Sequence, residues 1–91
     1  MRRVIWTEEA TENAEAIFAY VSNFSVAAAR RLNRRLVDAA FSLTELPDRG
    51  RLWRGAVRDL VVIQPYIIRY VVTDDEVRIL KIRHGAQRPE R

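Results

Sequence analysis

With 91 residues the chain makes one domain, 1–91, and is too short for a second. At 48% hydrophobic and 31% charged it has the aliphatic content of a folding chain, and the absence of cysteine together with a single histidine excludes disulfides and a structural zinc site. A net charge of +4 favours an acidic partner, either nucleic acid or protein. All the basic residues but Lys81 are arginine, which suits planar bidentate contacts and equally fits a GC-rich coding sequence. No apolar run approaches the roughly 18 to 20 residues that cross a bilayer, and Glu8 and Glu9 interrupt the opening where a signal peptide would need its apolar core. A cytoplasmic protein without metal or cofactor is expected.

Residues 2–6 read as a short extended start, because Val4, Ile5 and Trp6 favour strands. Thr7 suits a helix N-cap, with Glu8 and Glu9 in the first turn where the helix dipole favours negative charge. Ala10, Ala14, Ile17, Phe18 and Val21 gather on one helical face, and the pattern ends at Ser22-Asn23-Phe24. Ser25 is a second N-cap, followed by an apolar seam of Leu32, Leu36, Ala39, Leu43 and Leu46. Pro47 ends that helix, and Pro47-Asp48-Arg49-Gly50-Arg51 has turn or loop chemistry.

From about Val57 the period changes to that of strands. Leu60 to Ile63, Tyr66 to Val72 and Glu76 to Arg83 are rich in β-branched residues and are separated by Gln64-Pro65 and Thr73-Asp74-Asp75, which predicts an antiparallel meander. The expected order is β-α-α-β-β-β, with the N-terminal strand joining the same sheet. A helical hairpin covering one sheet face, with Ile17, Phe18, Leu32, Leu36 and Leu43 against it, gives an α+β two-layer fold. Asp74, Asp75 and Glu76 read as a hairpin turn and not as a carboxylate site.

This order resembles the ParE/RelE superfamily of bacterial toxins from type II toxin–antitoxin modules. The resemblance is carried by Leu43-x-x-x-Pro47-x-x-Gly50-Arg51, by Arg58-x-Leu60 leading into Tyr66-x-Ile68-x-Tyr70, and by a last strand running into His84-Gly85-Ala86-Gln87-Arg88. It implies a cognate antitoxin, ParD-like or similar, that binds through an acidic or partly disordered segment. It also implies one of two targets. The RelE-like branch binds the ribosome and cleaves messenger RNA, which requires cations on the phosphate and groups that move protons. The ParE-like branch poisons DNA gyrase.

Here Ile67 follows Tyr66 where such ribonucleases often carry arginine, Gln87 stands where they carry another, and no tyrosine follows. The ParE-like branch therefore fits better, with gyrase as the expected target and the ribosome with its mRNA as the alternative. No catalytic residue is assigned. Arg58, Arg83, His84, Gln87 and Arg88 are the expected target contacts, and Trp53 is either a partner-binding anchor or the cover for one edge of the core. No neighbouring motif in the sequence offers an orienting carboxylate for His84, which reads rather as a turn or strand end. Arg30, Arg31, Arg34 and Arg35 form a cationic stripe away from the leucine seam, which is either a solvated face or a surface for an acidic antitoxin segment or nucleic acid.

Overall fold

The computed structural model describes residues 2–85, so Gln87 and Arg88 lie outside the described residues. Strand β1 (Arg3–Trp6) leads into helices α1 (Glu8–Ser22) and α2 (Val26–Ser42). Four strands follow: β2 (Arg51–Arg54), β3 (Val57–Ile63), β4 (Tyr66–Val72) and β5 (Glu76–His84). They form a single sheet in the order β1-β5-β4-β3-β2, in which β1 runs parallel to β5 and every other pair is antiparallel. The helical hairpin covers one face, giving the expected α+β class.

Both expected helix caps are present. The Thr7 hydroxyl accepts the Ala10 N–H at 3.1 Å and the Ser25 hydroxyl accepts that of Ala28 at 3.1 Å, each satisfying a donor that the helix itself leaves unpaired. Thr7 has a second task. β1 stops where Trp6 meets Ile79, so beyond that point β5 would present bare backbone groups at a sheet edge. The Thr7 hydroxyl donates to Leu80 O at 2.9 Å and the Asn13 side-chain oxygen takes the Ile82 N–H at 3.0 Å, so α1 replaces the missing strand.

Between the layers, Ala10, Leu36, Ala40 and Leu43 of the helical side meet Leu60, Ile68, Tyr70, Val77, Ile79 and Ile82 of the sheet. Leu32, Ala39 and Ile17 pack partly buried against this cluster, as their spacing requires. Leu46 does not. Helix α2 ends at Ser42, where Leu43 and Thr44 turn their N–H groups back to Ala40 and Phe41, and Leu46 is left exposed. Phe18 also departs from the expectation: it lies half-buried in a groove with Trp6 and Val37 instead of in the core.

The largest difference is β2, a strand where a loop was expected. Arg51–Arg54 pairs antiparallel with β3 through a two-residue turn, Gly55–Ala56, in which Gly55 takes φ +57°. A glycine with positive φ at the first central position is what such tight hairpins demand. All four residues of β2 are exposed, so no apolar alternation marks the strand. The acidic segment behaves as expected: Thr73 and Glu76 close the β4–β5 turn, with Thr73 N–H donating to Glu76 O at 2.9 Å and Glu76 N–H to the Thr73 hydroxyl at 3.1 Å.

Leu36 is buried to 1% at the centre of the interlayer contact. Leu36→Ala should cost about 2–5 kcal/mol of stability, read from urea or thermal unfolding.

Candidate functional site

Two groups of polar side chains flank β3 and β4, one on each face of the sheet. On the helix side, Tyr70 is fully buried, yet its hydroxyl makes two bonds outward. It donates to Pro47 O at 2.7 Å and accepts the Gly50 N–H at 2.9 Å. Arg58, opposite Tyr70 in the β3–β4 register, donates to Gly50 O at 2.8 Å and lies 3.3 Å from the Asp48 carboxylate. Together the two side chains tie the α2–β2 connection to the sheet. Gly50 is required there, because a Cβ would come within 2.8 Å of the Tyr70 ring and 2.9 Å of Asp59 O. Burial raises the Tyr70 hydroxyl above its ordinary value near 10, outweighing the Gly50 hydrogen bond and the nearby Arg58 charge, which lower it.

On the opposite, helix-free face the centre is Asp59. Its carboxylate receives a two-pronged contact from Arg69, Nε to Oδ1 at 2.9 Å and Nη2 to Oδ2 at 3.1 Å, and Arg83 Nη1 lies 4.0 Å from Oδ2. The Arg69 guanidinium is capped by the Trp53 ring, its Cζ 3.4 Å from the ring centroid, while Arg54 flanks the same ring at 4.5 Å. Arg51 stands opposite Asp59 in the β2–β3 register and so belongs to the same face. The Arg69 side chain is only 5% exposed and that of Arg83 12%, although no helix among the described residues covers them. Farther along this face Val61, Ile67 and Pro65 line an apolar hollow of about 330 Å³ that reaches Gly85.

These placements separate the residues expected to act together. Arg58 belongs to the helix side, where loop carbonyls hold it, whereas Arg83 belongs to the open face, bound to Asp59. His84 turns to the helix side, edge-on to Tyr66 at 5.5 Å, in a groove with Asn13, Ile17 and Tyr20. Trp53 is 37% exposed and stacked on Arg69. Sequence reasoning missed Asp59 and Arg69. The signal was available, because opposite charges facing each other across adjacent strands are a recognised pair, but their register shows only once β3 and β4 are aligned. Among the described residues no group of acidic, histidine or cysteine side chains could hold a metal, and no helix is long and apolar enough to cross a membrane.

Comparison with known proteins assigns the chain to the toxins of type II toxin–antitoxin modules. Residues 4–89 match the model of the ParE toxin of the type II toxin–antitoxin system parDE, and the chain belongs to that family. It is 48% identical over 87 residues to Toxin RelE2 of Caulobacter vibrioides, a match covering 96% of this chain and 99% of that protein. In structure it resembles a chain of the chromosomal ParDE toxin–antitoxin system from P. aeruginosa, with a TM-score of 0.79 at 24% identity. That match covers 92% of this chain and 96% of the other. Membership of a type II module implies an antitoxin partner.

Two outcomes follow from the Tyr70 anchor. Tyr70→Phe should cost about 1–3 kcal/mol, since it leaves Pro47 O and the Gly50 N–H without their partner. The folded state holds the Tyr70 proton more tightly than the unfolded chain. Its contribution is therefore complete below about pH 10 and declines as pH rises from there through the folded-state value. Denaturant melts at stepped alkaline pH should show this decline in the wild type and a shallower one in the variant. Gly50→Ala should destabilise by about 1–3 kcal/mol through the Tyr70 clash, seen as a lowered melting temperature.

Proposed function

We propose that this toxin arrests growth in the cytoplasm by docking on DNA gyrase and stalling it with DNA broken, until a ParD-like antitoxin masks it. The observation that carries this reading is where the proton-transferring side chains lie. Attack by an RNA 2′-hydroxyl requires a base, an acid and cations around the phosphate. Tyr66, Tyr70 and His84 all turn to the helix side, while the open face offers aliphatic Ile67 beside Arg83 and a carboxylate already engaged by two arginines. A docking role needs none of that chemistry. Arg83 and His84, at the end of the last strand, remain the proposed target contacts together with Gln87 and Arg88, which follow them in the sequence. Arg58, opposite Tyr70 and several residues along the sheet from His84, contributes by holding the α2–β2 connection.

For the antitoxin, the groove between the helices supports an amphipathic acidic segment. Trp6, Ala14, Phe18 and Val37 line a hollow of about 380 Å³ with Glu15 at its edge, and Arg30 and Arg34, with Asp38, line the hollow adjoining it. An apolar floor beside a basic wall suits a partner that orders as it binds. Trp53, on the open face, remains a separate proposed partner contact.

A second reading, a ribosome-dependent mRNA endoribonuclease, is favoured by the 48% identity to a toxin named RelE2. One experiment separates the two. Purified toxin should inhibit gyrase supercoiling, and Arg83→Ala combined with Arg88→Ala should weaken inhibition by about tenfold or more with the fold retained, as expected for loss of charged contacts. Codon-specific mRNA cleavage on ribosomes, with gyrase unaffected at saturating toxin, would move the protein to the ribonuclease reading.

A further inference from the structure

The open face poses a chemical puzzle. Arg51, Arg69 and Arg83 share one side of the sheet in a protein of net charge +4, an arrangement that ordinarily attracts phosphate. Yet a carboxylate lies at the centre of the group. We propose that Asp59 is a built-in counter-anion: it occupies, from within the sheet, the place on Arg69 and Arg83 that a nucleic-acid phosphate would otherwise take, and so determines which ligands this face refuses.

The geometry supports occupation as opposed to casual pairing. The Arg69 contact uses the Nε and Nη2 edge of the guanidinium, which is the edge that grips a phosphate side-on, at 2.9 and 3.1 Å. The same carboxylate reaches Arg83 with its second oxygen. Asp59 and Arg69 are direct partners in the β3–β4 register, so the carboxylate arrives already positioned and loses no translational freedom on binding. A free phosphate must displace it. Trp53 stacks on one side of Arg69, away from the edge that holds the carboxylate. The inference stands on this face alone and does not depend on whether gyrase or the ribosome is the target.

Asp59→Asn tests it, because asparagine keeps an acceptor for Arg69 and removes the charge. The variant should bind a fluorescein-labelled single-stranded RNA 12-mer at least about tenfold more tightly than wild type, with a steeper loss of affinity as salt is raised. Trp53→Ala, which removes the cap and leaves the carboxylate, should stay at wild-type affinity. Inorganic phosphate titrated into 15N-labelled wild-type protein should leave the Arg69 and Arg83 Nε–H signals unmoved. Three results would overturn the proposal. They are a folded Asp59→Asn protein with no gain in affinity, a Trp53→Ala protein with the gain assigned to Asp59→Asn, or saturable movement of either arginine signal in the wild type. If Asp59→Asn does not fold, the Trp53→Ala and wild-type measurements decide the matter.

Discussion

The structure depends on one hydroxyl. Tyr70 is seated in the interlayer core and bonds the chain at both ends of the Pro47–Gly50 turn, while Arg58 beside it takes the Gly50 carbonyl. These contacts decide where the chain enters β2. The position of β2 in turn carries Trp53 over the open face, and Trp53 capping Arg69 lets a guanidinium sit buried on a side of the sheet that no helix among the described residues covers. A core tyrosine thus sets the electrostatics of the opposite face. Its own burial is tolerated because both hydrogen-bonding functions of the phenol are used.

The parts of this fold that are legible in the sequence are those governed by local rules. Thr7 and Ser25 cap helices because their hydroxyls reach the first turn, and Leu36 and Leu43 recur at helical spacing because one face meets the sheet. That β1 joins the same sheet was legible too, from the strand-favouring Val4, Ile5 and Trp6, whereas its parallel direction was not. β2 was not, because four exposed residues carry no burial pattern and only Gly55 hints at the hairpin. The limits of α2 were misread for a related reason. Leu46 keeps the heptad-like spacing, but the backbone has already turned at Leu43 and Thr44.

The candidate site was less legible than the fold. Arg58 and Arg83 look equivalent in a list of basic residues, yet strand alternation sends them to opposite faces, and one secures a loop while the other meets Asp59. Asp59 is inconspicuous in the sequence because its meaning comes from a neighbour ten residues away across a hairpin. Ile67 was readable, since an aliphatic side chain makes no charged contact wherever it points. The structure adds that it sits beside Arg83, within the apolar stretch of the open face.

The parallel pairing of β1 with β5 has a consequence in time. Arg3 lies against Glu76 and Trp6 against Ile79, so the first strand made finds its partner only when one of the last has emerged from the ribosome. Until then β1 presents unpaired backbone and the apolar side chains of Val4, Ile5 and Trp6, and α1 has no β5 on which to place Thr7 and Asn13. Such long-range closure slows folding. Every newly made copy of this toxin therefore passes through an interval in which its sheet is incomplete and its first strand stands without its neighbour.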